Sequence, residues 1–82
     1  MIFKDAWTIE SLNKNNNNTY TAVLDGLANL IVDDYFISDN ETFFKVSAIS
    51  NDTNTKKSTI TFTLISSNDN GISKGSIITK FG

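Results

Sequence analysis

The chain has few residues that do chemistry, and those are carboxylates and hydroxyls. It contains no His and no Cys, so the commonest general base and the strongest nucleophile are both missing. Nine acidic residues remain. Asp33-Asp34 on one side, and Asp39 with Glu41 on the other, flank a short apolar run. Converging carboxylates of this kind are what glycoside hydrolysis or a hard cation requires. Adjacent Asp residues ahead of an apolar run also make a turn, because Asp accepts hydrogen bonds from nearby backbone. The turn needs fewer assumptions. Ser73, Ser76 and the many Thr residues have no activating partner in the sequence. No catalytic residue is assigned, and an enzyme is the least favoured class.

Metals fare no better. Without Cys or His the usual structural zinc ligands are absent. Asn68-Asp69-Asn70-Gly71 resembles the start of a calcium loop but lacks the downstream bidentate Glu. An Asn-Gly turn accounts for it. No metal and no cofactor is expected. Three triplets, at Asn17, Asn40 and Asn51, match the N-glycosylation pattern, as chance produces in an Asn- and Thr-rich chain.

The net charge is −2. The lysines are scattered, Lys56-Lys57 is their sole cluster, and there is no Arg. A nucleic-acid binder shows a basic stripe and uses Arg for bidentate contacts, so nucleic acid is not an expected partner. No stretch approaches the ~20 apolar residues of a membrane-spanning helix, so no membrane association is expected. No basic segment followed by an apolar run marks a signal peptide at the N-terminus. A cytoplasmic location is the default; non-classical export or a place in a virion would leave the same signature.

Any site must be positioned by strands. The 82 residues make one domain, 1–82, whose small core is held by packing and backbone hydrogen bonds without disulfides. Segment 58–66 alternates Ile60, Phe62 and Leu64 with Thr59, Thr61 and Thr63, which puts the apolar set on one face of a strand. Segment 19–25 places Tyr20, Ala22 and Leu24 together, and segment 43–50 places Phe44, Val46 and Ala48 together. Segments 3–11 and 76–81 supply Phe3, Trp7 and Ile9, and Ile77, Ile78 and Phe81. Turn-forming stretches at 14–18, 38–42, 51–57 and 67–71 separate these runs. That rhythm predicts an all-β fold: a small closed or nearly closed barrel of about six mostly antiparallel strands. Pro is absent and guards no edge, which favours closure. No internal repeat is visible.

Two stretches punctuate the pattern. Val32-Asp33-Asp34-Tyr35-Phe36-Ile37 and Ile72-Ser73-Lys74-Gly75-Ser76-Ile77-Ile78 each place a turn before a short apolar run. With Lys45-Val46-Ser47-Ala48-Ile49 between them, their order resembles the second-domain β-barrel of translation elongation factors, over about residues 6 to 80. The resemblance implies that barrel fold. The family's turn Gly is replaced here by Val32 or Asp33, and no phosphate-binding loop accompanies the barrel. The family's role in holding tRNA is therefore not transferred.

Tyr35-Phe36 and Phe43-Phe44 are adjacent aromatic pairs. Strand neighbours point to opposite faces, so one of each pair faces outward. Phe36, Phe43 and Ile49 are the residues expected to form an exposed apolar patch. Such patches mark contact with another chain. The expected function is a non-catalytic interaction module that docks another protein or self-associates; the alternative is a structural subunit of a larger assembly such as a phage particle.

Overall fold

The computed structural model describes residues 5–16, 18–68 and 71–81. Six strands form a closed antiparallel barrel: β1 (Ala6–Lys14), β2 (Thr19–Leu24), β3 (Tyr35–Ser38), β4 (Phe43–Asp52), β5 (Lys57–Leu64) and β6 (Ile77–Phe81). Their order around the barrel is β1-β2-β5-β4-β3-β6. The all-β closed barrel read from the sequence is the fold found. Phe3, Asn17, Asp69 and Asn70 lie outside the described residues. The hairpin strands run further than the turn chemistry indicated, β1 to Lys14 and β4 to Asp52.

Alternation of apolar and hydroxyl residues fills the interior as expected on β2 and β5. Tyr20, Ala22, Leu24, Ile60 and Phe62 are buried, and Leu64 packs against them half-exposed. Four rings make the centre. Phe62 stacks on Tyr20 at 5.5 Å between centroids and meets Phe36 and Phe44 edge-on at 4.9 and 5.0 Å. Offset and edge-to-face geometries of this kind add to the burial energy of the rings. Trp7 seals one end, its indole N–H donating to the Leu27 carbonyl at 3.3 Å.

The two punctuation stretches form matched turns. Asp34 N–H donates to the Ile31 carbonyl at 3.0 Å, and Ile31 N–H donates to Asp34 Oδ2 at 3.0 Å. Likewise Ser76 N–H donates to the Ser73 carbonyl at 3.0 Å, and Ser73 N–H donates to Ser76 Oγ at 3.1 Å. The third residue of each turn is left-handed: Asp33 has φ 78° and Gly75 has φ 93°. Asp and Gly are among the residues that tolerate this region.

Each turn is stitched to a β-bulge. Asp33 N–H donates to the Val46 carbonyl and Val46 N–H to the Asp34 carbonyl, both at 2.8 Å. Gly75 N–H donates to the Ile9 carbonyl at 2.8 Å, and Ile9 N–H to the Ser76 carbonyl at 2.9 Å. The strand register slips immediately after each anchor, between Val46 and Ala48 and between Ile9 and Ser11.

These matches extend over the barrel. Val46 pairs with Phe62 and Ala48 with Thr61, as Ile9 pairs with Leu24 and Ser11 with Val23. Phe44 pairs with Phe36 as Trp7 pairs with Ile78. The β3–β6 ladder is centred on the pair Ile37 with Thr79, and the β2–β5 ladder contains the pair Ala22 with Ile60. β1–β3 and β4–β6 are thus two copies of one supersecondary unit, related by a pseudo-two-fold axis through those two ladders. The repeat escapes the sequence because equivalent core positions differ: Trp7 stands where Phe44 does, Leu24 where Phe62 does, Leu30 where Ile72 does.

The turns and the ring cluster give opposite expectations for substitution. Beyond its chain neighbours, no atom lies within 4 Å of a Cβ built on Gly75, so Gly75→Ala acts through backbone strain alone and lowers unfolding free energy by about 1–2 kcal/mol. Asp33→Gly relieves strain at the equivalent position and leaves stability unchanged or raised by up to about 1 kcal/mol. Phe62→Ala removes the central ring and costs about 3–5 kcal/mol. Urea midpoints of the three variants against wild type measure all three effects.

Candidate functional site

The candidate site is the outer surface of β3, β6 and the ends of β4 and β1 that flank them. On β3, Phe36 and Ser38 are buried while Tyr35 is 43% exposed. On β6, Ile78 is buried while Ile77 and Phe81 are 46% and 57% exposed. Cross-strand partners share a face, so register assembles the surface. Tyr35 lies opposite Phe81, and Ile37 between Phe43 and Thr79; Thr79 lies beside Ala6, and Ile77 beside Thr8. Phe43 meets Phe81 edge-on at 5.4 Å. Ile65, half-exposed, follows from its N–H bond to the Phe43 carbonyl at 3.0 Å. Of the outward strand positions of this face, Ala6, Thr8, Tyr35, Ile37, Phe43, Lys45, Ile77, Thr79 and Phe81, Lys45, the cross-strand partner of Tyr35, is the charged one.

This corrects the patch expected from sequence. Of Phe36, Phe43 and Ile49, only Phe43 lies on the outer face. Phe36 is fully buried among the rings, because β3 presents Tyr35 outward. Ile49 is half-buried and packs against the core. The bulge at Ser47 shifts β4 by one residue, which turns Ile49 inward opposite Ile60 and leaves Ala48 exposed. A one-residue slip exchanges the two faces of a strand. Tyr35, Ile77 and Phe81 take the vacated places; the signal for them was the alternation about Phe36 and Ile78, had their burial been known.

The carboxylates are engaged in turns and at the rim. Asp33 lies 3.4 Å from Lys45 Nζ, both exposed, and Lys45 also sits over the Tyr35 ring at 6.0 Å. Asp34 Oδ2 accepts from Ile31 and lies 3.7 Å from Lys80 Nζ at the barrel mouth. Asp39 and Glu41 are exposed at the far end of β3, with no cation within ion-pair distance among the described residues. Among the described residues no three acidic side chains gather where they could hold a metal. Gly71 has φ 84°, a conformation glycine adopts without strain; Asp69 and Asn70 beside it lie outside the described residues.

The hydroxyls also serve structure. Ser58 Oγ is buried, accepts from Ala28 N–H at 2.8 Å and donates to Asn51 Oδ1. Ser38 Oγ donates to Asn40 Oδ1 and accepts from Thr42 N–H at 3.2 Å, with Thr42 fully buried. Both amides belong to the glycosylation triplets, and both are tied into the fold. Outward on β2 and β5, Thr19 faces Thr63 and Thr21 faces Thr61 across the ladder.

No family model, curated protein or solved structure matches the chain. No helix is long and apolar enough to cross a membrane among the described residues.

Burial separates the two aromatic sets by their response to one change. Tyr35→Ser and Phe81→Ser leave unfolding free energy within about 1 kcal/mol of wild type, since half-exposed side chains have little burial to lose. Phe36→Ser costs more than about 3 kcal/mol through its cavity and a buried hydroxyl. Thermal and urea denaturation of the three variants test the assignment of inner and outer faces.

Proposed function

We propose that this barrel is a non-catalytic interaction module that docks a protein through the outer face of β3 and β6. One observation carries the reading: three large apolar side chains, Tyr35, Ile77 and Phe81, stand about half-exposed on adjoining strands, with Lys45 at their edge over the Tyr35 ring. Exposed apolar side chains are ordinary when scattered; several gathered on one face of adjoining strands mark a contact surface. Aromatic residues are the side chains that dominate binding energy when desolvated. The neighbouring rim is polar, with Lys45, Asp33, Asp39 and Glu41 around the uncharged centre, as in an interface with a dry core.

The kinship with the second domain of elongation factors belongs to the same proposal. It is supported by the order of the two turns and the barrel they close. The role is read from the face and not from that kinship, because one barrel serves many functions.

Tyr35→Ser/Phe81→Ser, shown folded by circular dichroism, is the comparison bait. Wild-type protein is expected to retain a defined partner, or its own untagged copy, that the double variant loses by tenfold or more. Equal recovery by both baits would remove the face from the function.

A further inference from the structure

We propose that the side chains of Lys80 and Asn29 become joined by an amide bond at the barrel mouth, with Asp34 carrying the proton. The inference is independent of the docking face.

Such a bond requires an amine, a carboxamide and a carboxylate that moves protons. All three meet at this mouth. Lys80 stands at an inward position of β6, opposite the fully buried Phe36. Its Nζ donates to the Asn29 backbone carbonyl at 3.4 Å and lies 3.7 Å from Asp34 Oδ2. The Lys80 and Asp34 side chains are only 28% and 23% exposed. Asn29 lies between the buried Ala28 and Leu30, and its side-chain Oδ1 is shut off from solvent with no hydrogen-bond partner. A carboxamide held away from water, with an amine fixed on its own residue, is placed for attack by that amine and shielded from hydrolysis. The contact still to be made, Nζ against Cγ, needs rotation about the Asn29 and Lys80 side-chain torsions.

The Lys80 ammonium passes one proton to Asp34, and the free amine adds to Asn29 Cγ. The Cγ–Nζ bond forms and the Cγ–Nδ2 bond breaks. Two protons pass from Nζ to the departing nitrogen, the first carried by Asp34. Ammonium leaves, and nothing is oxidised or reduced. Asn29 and Lys80 are 51 positions apart, so the crosslink constrains the unfolded chain over most of its length. In a small domain without Cys it supplies the staple that disulfides supply elsewhere.

Intact mass of the denatured protein, followed by tryptic mapping, tests the proposal. Wild type is expected to weigh one ammonia less than its sequence requires. Trypsin is expected to leave residues 15–45, which hold Asn29, joined to residues 75–82, which stay uncut after the acylated Lys80. Lys80→Ala, and separately Asn29→Ala, should each show the full mass of its own sequence. Asp34→Asn keeps both reacting side chains and should crosslink at least tenfold more slowly in a time course from fresh protein. Wild type at its full sequence mass overturns the crosslink. So does a lost ammonia with the two peptides still separate. Asp34→Asn that crosslinks at the wild-type rate overturns the role given to Asp34. The wild-type mass decides the bond whether or not a variant folds.

Discussion

Two backbone stitches hold this architecture, each joining a four-residue turn to the anchor of a bulge. At Val46 and at Ile9 one residue both donates to and accepts from the turn beside it. That pairing uses backbone groups that closure would otherwise bury without partners. It also fixes where the strand register slips, and so fixes which side chains of the following segment face inward. The left-handed third residue lets the chain reverse within each turn and enter β3 or β6. Short strands then suffice to close the barrel, and a closed barrel leaves no edge to be guarded by proline or charge.

The strands were legible because their chemistry is local. Alternation of Thr with Ile, Phe and Leu on β5 gives its two faces directly, and the same holds for Tyr20, Ala22 and Leu24. Turn residues placed the breaks, though hairpin pairing carries β1 and β4 beyond them to Lys14 and Asp52. The bulges were not legible. Nothing in Val46-Ser47-Ala48 announces an extra residue, since the bulge is imposed from across space by Asp33 and Asp34. Parity counted along β4 therefore fails after Val46, and Ile49 and Ala48 exchange faces. In the candidate site the alternation rule shows that one member of Tyr35-Phe36 is outward. It does not show which, because the choice is made by the turn at 31–34 and the pairing with β6.

The half-repeat explains why inside and outside have such different characters. Symmetry constrains the interior, where equivalent positions fill equivalent space: Trp7 with Phe44, Ile9 with Val46, Ala22 with Ile60. Outside, the two halves differ. Around the β2–β5 end of the axis the surface is threonine, uncharged and hydroxyl-rich. Around the β3–β6 end it is aromatic on one flank, with Tyr35, Phe43 and Phe81, and small on the other, with Ala6 and Thr8. The interior thus serves closure, and the exterior holds the features by which the barrel can be told apart from others of its shape.

The exchange of strands between halves also dictates an order of events. β3 is paired only with β4 and β6, and β6 only with β1 and β3. Neither half can complete its own sheet, so the first three strands have no stable state to rest in while the second three are unmade. Local hairpins β1–β2 and β4–β5 can form early, at low loop-closure cost. The decisive step is capture of the last strand between the first and the third, a contact that spans nearly the whole chain. Long-range pairing of this kind predicts slow, all-or-none folding for a chain of this size.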